Sequence, residues 1–303
     1  MKSILNVRQP SARAAFWLAV AFGRPFGGIR PRRFVHWLAA HAYGSADPRP
    51  DEFQWRRDRW GNSFLLHPHF LLDCQIIAFG AYDPALHRFL RSAVRPGMVC
   101  FDVGANIGAV SLHLASLAGP AGKVFCFEPA PHIFQRLKTN AEHSRYAAVL
   151  DARQLALSDA NGTSVLHVAR TSARNQGMGS LVNDDHPHLS SDVEVPTMTL
   201  NEFCRVEAVS RIDFIKMDVQ GAEPLVLRGG RDVLTRHQPD LMIEISPYDL
   251  GLGGWTGRDL VALLEDLNYR CFPLLENGRL GPEICSDSIA SNSSWENVFC
   301  IAK

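Results

Sequence analysis

Val99-Cys100-Phe101-Asp102-Val103-Gly104-Ala105-Asn106-Ile107-Gly108 decides the fold. A short apolar run with β character carries an acid, and a glycine-punctuated turn follows it. A helical pattern then runs from Ala109 to Ala118. Glycines let a backbone approach a ligand closely, and the unpaired N–H groups at a helix start face it. One such turn is weak evidence, because many strand–helix junctions resemble it. Here the pattern recurs. Val124-Phe125-Cys126-Phe127 ends in Glu128, Phe214-Ile215-Lys216-Met217 in Asp218, and Leu241-Met242-Ile243 in Glu244. Strand-length runs alternating with helical ones predict an α/β fold with a doubly wound, mostly parallel sheet.

Ligands of such sheets bind beyond the carboxyl ends of the strands. Four acids there suit a ligand with hydroxyls and positive charge better than a pyrophosphate. S-adenosylmethionine (SAM) has a ribose diol, an amino group and a sulfonium, and so meets that description. Asn106 occupies the place of the second glycine in the dinucleotide fingerprint, which disfavours a nicotinamide cofactor. Glu128 lies 20 residues beyond Gly108, the spacing at which a second-strand acid meets ribose hydroxyls.

Apolar content of 46% and charged content of 20% are those of a globular protein with ample core. Net charge is zero but unevenly spread. Residues 1–50 hold eight basic side chains against one acid, Asp47, so the remainder carries −7. An acidic body argues against nucleic acid as partner. The cysteines at 74, 100, 126, 204, 271, 285 and 300 show no metal-ligand spacing, and their odd number fits a reducing compartment. No metal site is expected.

The chain is expected to divide into a basic, partly apolar extension (1–52) and a catalytic domain (53–303). The apolar run Ala14–Phe22 is too short for a bilayer span, which needs ~20 residues. It reads as helices packed on the main domain, as a signal-peptide core after Lys2, Arg8 and Arg13, or as a basic amphipathic anchor. In the anchor reading, Phe34, Trp37 and Leu38 help Arg30, Arg32 and Arg33 lie on an anionic membrane surface. A SAM-dependent body belongs in the cytoplasm, with peripheral membrane contact through residues 1–50 as an option.

Further along, Phe64–Leu66 and Ile76–Phe79 read as strands, Gly80–Pro84 as a turn and Ala85–Ala93 as a helix. Arg153–Leu157 and Val165–Val168 read as a strand pair around the turn Asp159–Gly162. Residues 171–192 are polar and aperiodic, either a lid or recognition loop or a surface loop. Leu200–Val206 reads as a helix capped by Thr199, and Pro224–Leu234 and Gly257–Leu267 as two more. Arg270–Leu275 and Asn297–Ala302 read as an antiparallel pair at one edge of the sheet. His67 and His69, like His186 and His188, read as loop histidines rather than metal ligands.

The chain from about residue 70 resembles the FkbM-type methyltransferases, of the SAM-dependent class I fold. Four ordered blocks carry the resemblance: Phe101–Gly108, Phe127-Glu128-Pro129, Ala156-Leu157-Ser158-Asp159 with Gly162, and Ile215–Glu223. Pro239 and Glu244 fit the strand that follows. The resemblance implies a seven-stranded Rossmann-like sheet and methyl transfer, usually to a hydroxyl of a sugar or natural product. By position it implies that Asp102, Gly104, Asn106 and Gly108 hold the aminoacyl part of SAM. Glu128 and Pro129 would hold the ribose, Ser158 and Asp159 would lie near the adenine, and Asp218 would close the site beside the methyl group. Tyr82 joins these as a cofactor-binding candidate. Gln220 stands where the family often has glutamate, and Asn201 where it often has aspartate; Asn serves equally as a helix cap.

A hydroxyl acceptor must lose a proton, which calls for a base or a metal. Asp218 and Glu244, at adjacent strand ends, are the candidates, with Glu223 a third. The structural alternative is that Asp218 only orients the cofactor, and that Glu244 only caps or pairs with Lys216. Two rival functions remain open: a non-catalytic SAM-fold module docking a membrane or protein through its basic N-terminus, and a nicotinamide-dependent oxidoreductase. The acceptor itself (small molecule, glycan or lipid-linked hydroxyl) and the oligomeric state are not encoded in any motif.

Overall fold

The computed structural model describes residues 50–169, 175, 179–182, 189–290 and 293–303, together with Leu18. The expectations for the apolar run 14–22, for residues 30–38, for the pair His186 and His188 and for most of the polar loop fall outside these. The chain divides into two compact units, residues 1–82 with 170–176, and residues 83–169 with 177–303.

In the first unit, β1 (Gln54–Arg57) and β2 (Ser63–Leu66) form an antiparallel hairpin with Gln54 opposite Leu66. Asp58 closes its turn by accepting from the backbone N–H groups of Trp60 and Asn62 at 2.9 and 2.8 Å. Helix α1 (Leu71–Phe79) follows, where a strand over Ile76–Phe79 was expected. Ile76, Ile77, Ala78 and Phe79 are all buried, so no polar period distinguishes helix from strand in that run. Gly80 ends the helix at φ 69, its N–H on the Ile76 carbonyl. His67 and His69 do lie in the loop between β2 and α1, but they are buried. The His67 Nε2 is 3.2 Å from a Glu52 carboxylate oxygen. No group of three metal-ligating side chains occurs among the described residues.

The second unit begins with α2 (Pro84–Ala93), capped by Asp83, and enters β3 (Val99–Val103), α3 (Ser111–Ala118), β4 (Lys123–Phe127), α4 (Pro131–Glu142) and β5 (Leu150–Arg153). Next come β6 (Ala156–Ser158), β7 (Gly162–Ala169), β8 (Leu189–Thr199), α5 (Leu200–Val206) and β9 (Phe214–Met217). The chain continues through α6 (Glu223–Gly229), α7 (Arg231–His237), β10 (Asp240–Ile245), α8 (Pro247–Leu252) and α9 (Gly257–Asp266). It finishes with β11 (Tyr269–Pro273) and β12 (Trp295–Ala302). Among the described residues the main sheet has seven strands in the order β11-β12-β10-β9-β3-β4-β5. Strand β12 alone runs against the others, so the expected antiparallel edge is present.

Side-chain parity divides the core into two layers. Phe101, Val103, Phe125, Phe127, Ile215, Met217, Leu241 and Ile243 face a layer with residues of α5, α6, α7 and α9. Cys100, Val124, Cys126, Phe214 and Met242 face the other, with residues of α2, α3 and α4. Strands buried on both faces read as continuous apolar runs, which is why they were visible in the sequence. Phe203 of α5 meets Phe101, Phe125 and Phe127 edge-on, with centroids 4.7–5.8 Å apart. Phe203→Leu keeps most of the volume and loses these ring contacts. It is expected to cost about 1 kcal/mol, read as a lower urea midpoint.

Three local expectations are corrected. Strand β6 pairs with β8, not β7, in a separate three-stranded sheet ordered β6-β8-β7, and Arg153 belongs to the main sheet. The helix expected over Pro224–Leu234 is broken at Gly230, where an added Cβ would meet Leu200 Cδ2 at 2.7 Å. Helix α8 occupies the start of what read as a loop through Gly251, and the loop begins only after Leu252. Thr199 does cap α5, accepting from the Glu202 N–H at 3.1 Å. Among the described residues no helix is long and apolar enough to cross a membrane.

Candidate active site

Strand register brings the acids together. Asp102 is opposite Cys126 on one side and Lys216 on the other, and Lys216 is opposite Met242. Side chains two residues on share the same face, so the next layer holds Gly104, Glu128, Asp218 and Glu244. The ladder continues past the assigned strands: the Asp218 N–H donates to the Val103 carbonyl at 3.0 Å, and the Glu128 N–H to that of Arg153 at 3.1 Å. The four carboxylates thus project from one face at neighbouring strand ends, with Asp102 one layer deeper.

Asp102 is fully buried. One of its oxygens accepts from the Ser111 hydroxyl at 2.5 Å; the other, Oδ1, makes no hydrogen bond to a described residue and lies 3.9 Å from the Lys216 ammonium. Burial raises its pKa, offset in part by the charge of Lys216 and the Ser111 bond. Lys216 is itself buried, yet the charges of Asp218 and Asp102 outweigh that burial and hold it protonated. Its Nζ donates to Asp218 Oδ2 at 3.1 Å.

Asp218 and Glu244 are pushed in opposite directions. Burial works to raise the Asp218 pKa, but Lys216 and hydrogen bonds from Glu244, Lys216 and Gln220 outweigh it and hold the group low. Burial, the Asp218 charge and the hydrogen bond to Asp218 push Glu244 up to about 10. Asp218 is therefore the anion and Glu244 the acid of the pair. Gln220 donates to Asp218 Oδ1 at 2.8 Å and to Glu244 Oε2 at 3.2 Å.

Glu128 braces the glycine turn. Its two oxygens accept from the N–H groups of Asn106 and Ala130 at 2.9 and 3.0 Å. Burial nevertheless raises it to about 7. Asn106 takes a left-handed φ of 50, and its side chain accepts from the Ile107 N–H at 2.8 Å. The Gly108 N–H donates to the Ala105 carbonyl. The turn amides at 106, 107 and 108 are thus engaged within the protein, and α3 starts at Ser111 rather than Ala109. Gly108 has a φ of 90, which strains any residue with a Cβ, and an added Cβ would press on Leu137 Cδ1 at 2.9 Å. Pro129, half-buried, follows Glu128 out of the strand.

Glu223 is buried, and its two oxygens accept from the Val219 and Gly221 N–H groups at 2.8 and 3.1 Å, so it clamps the loop that carries Asp218. Burial raises it to about 7. Ser158 ends β6 in the small sheet, with its carbonyl tight against Gly229, and Asp159 is exposed. Tyr82 is half-buried and closes the first unit. Lys216 entered the sequence reading only as an ion-pair partner, and Ser111 had no assigned role. Their only signal was parity: Lys216 is a charged residue inside a buried strand, and Ser111 opens the helix after the glycine turn.

The donor set fits SAM. An acid-rich face accommodates an ammonium, a sulfonium and a diol; pyrophosphate would be repelled. Residues 102–271 match the methyltransferase FkbM domain. The chain belongs to the FkbM family of SAM-dependent methyltransferases. It is 31% identical over 193 residues to the 2-O-methyltransferase NoeI of Sinorhizobium fredii, covering 59% of this chain and 76% of that protein. It is likewise 31% identical over 203 residues to the 31-O-demethyl-FK506 methyltransferase FkbM of Streptomyces tacrolimicus, covering 58% and 75%. The crystal structure of an FkbM methyltransferase from Methylobacillus flagellatus aligns with a TM-score of 0.43 at 14% identity. That alignment covers 71% of this chain and 50% of the other. Membership in the FkbM family removes the nicotinamide reading.

Proposed function

We propose that this FkbM-family protein is an O-methyltransferase acting on a hydroxyl of a small molecule, with a sugar or secondary-metabolite acceptor as the preferred class. The observation that carries the mechanism is the Asp218–Glu244 pair with Asp218 held ionised by Lys216. The names of both relatives specify an oxygen, which supports a hydroxyl over a nitrogen or carbon acceptor. The family match and the methyltransferase relatives give the non-catalytic docking alternative no support.

SAM supplies the methyl group as an electrophile on its sulfonium. Asp218 takes the acceptor's hydroxyl proton as the new carbon–oxygen bond forms and the carbon–sulfur bond breaks. Lys216 keeps Asp218 anionic before transfer, and Glu244 stays neutral beside it. Asp102 and Glu128 hold the ammonium and ribose ends. Ser158 and Asp159 remain assigned to the adenine end by family position, and Tyr82 stays a cofactor-binding candidate. Glu223 acts through the loop rather than on the reacting atoms.

The test is calorimetry with SAM and its demethylated product, followed by a search of cell extract for products heavier by one methylene. Both ligands are expected to bind, and a sugar- or metabolite-derived species to gain the mass. Absence of binding overturns the reading. Glu128→Gln removes an anion that the ribose hydroxyls donate to, and is expected to weaken SAM about tenfold. Wild-type affinity in that variant would remove Glu128 from the ribose site.

A further inference from the structure

Gln220 lies outside the roles assigned so far, yet the fold holds it in an unfavourable backbone conformation. Its φ is 52, a left-handed region that residues with a Cβ seldom adopt. Three anchors keep it there. Its carbonyl accepts from the Ser180 hydroxyl at 2.9 Å. Glu223 takes the N–H groups of Val219 and Gly221 on either side. Gly221, at φ 94, is seated so closely on α8 that an added Cβ would be 2.3 Å from the Asp249 carbonyl oxygen. Strain that neighbours over-determine in this way gathers at functional sites.

The result of that strain is the placement of one amide. Gln220 Nε2 carries two hydrogens, and they meet Asp218 Oδ1 and Glu244 Oε2 at 2.8 and 3.2 Å. An amide adds two donors and no charge. A carboxylate at 220 would instead set a further anion beside Asp102, Asp218 and Glu244, facing the ammonium of Lys216.

We propose that Gln220 is a positioning residue for methyl transfer: its side-chain amide bridges Asp218 and Glu244 and fixes which of the two carries a proton. Asp218 then presents an ionised oxygen to the acceptor hydroxyl, and Glu244 keeps the proton. The proposal rests on the reading of Asp218 as the base. The other groups facing the pair are Asp102 from β3, Lys216 from β9 and Glu223 from α6, with Glu128 from β4 beyond Asp102 and Lys216, and Asp249 from α8 behind Glu223. Gln220 is the neutral donor that touches both carboxylates.

Carbon-13 NMR of carboxyl-labelled full-length protein reads the two titrations without an acceptor. The Asp218 and Glu244 signals are assigned by their loss in Asp218→Asn and Glu244→Gln. Gln220→Gly removes the amide and relaxes the backbone, so its folding is not at risk. In it the Asp218 midpoint is expected to rise by about one pH unit, a tenfold loss of the anion at a given acidic pH. Gln220→Asn tolerates the same φ but has a shorter amide, and is expected to fall between. Wild-type midpoints in Gln220→Gly overturn the proposal, because a purely backbone role would leave them unmoved. The base assignment is judged separately: turnover retained in Asp218→Asn would overturn that assignment while leaving the NMR result on Gln220 intact.

Discussion

Gly104→Ala is expected to abolish high-affinity SAM binding and to destabilise the protein by about 4 kcal/mol or more. At φ 79 an added Cβ would sit 1.9 Å from the Asp218 carbonyl oxygen and 2.9 Å from its carbon. Neither backbone can yield. The Gly104 N–H is bonded to the Phe127 carbonyl at 3.0 Å, and the Asp218 N–H to that of Val103 at 3.0 Å. Relief therefore requires opening the β3–β9 ladder at the end where Asp102, Lys216 and Asp218 meet. Gly97→Ala is the control. It has a similar φ of 85 with nothing within 4 Å of the added atom, so it is expected to cost only the conformational term, about 1 kcal/mol. Urea midpoints and SAM calorimetry of the two variants separate close approach from conformation alone. Equal effects would mean that the turn does not depend on contact between β3 and β9.

The glycine turn and strand-tip acids were legible because a period of two and a buried parallel sheet leave a plain mark: an apolar run that ends in a charge. What the sequence concealed was pairing and protonation. Asp102, Glu128, Asp218 and Glu244 look alike in the sequence. One is sealed beneath Ser111, one holds the turn through Asn106, and two are pushed in opposite directions. Those differences depend on depth along the strand and on neighbours from other strands. Lys216 read as an ion-pair partner because nothing local shows that it stands between Asp102 and Asp218. Ile76–Phe79 was misread for the opposite reason: four consecutive buried residues carry no period to read. The pairing of β6 with β8 depended on the strand after the polar loop, which local pattern could not anticipate.

Charge in the site also has a consequence for stability. Glu244 holds its proton up to about 10 in the folded protein, far above its ordinary value near 4.3. Its contribution to stability is complete below the unfolded value and is lost as pH rises toward the folded one, because only the unfolded chain ionises in that window. Asp218 has the opposite sign. Held below its ordinary value by Lys216, it contributes above that value and loses the contribution as pH falls through the folded one.

Asp218→Asn is accordingly expected to lower kcat by about 10²- to 10⁴-fold, the usual worth of a positioned base. It should have a much smaller effect on SAM affinity, because Asp102 and Glu128 remain. Glu244→Gln should behave differently. It keeps a neutral partner beside Asp218, so activity near pH 7 is expected to stay within about tenfold of wild type. The alkaline limb of the wild-type pH profile, where Glu244 ionises beside Asp218, is expected to disappear in this variant. Its melting temperature should also change less between pH 5 and 9, the window in which wild type loses the Glu244 contribution. Because Glu244 is partly exposed, the difference is set at about 2 kcal/mol across that window rather than at the full value of the shift. A Glu244→Gln protein as inactive as Asp218→Asn would make Glu244 the base and Asp218 its support. Parallel alkaline limbs in wild type and Glu244→Gln would show that the two are not pushed apart.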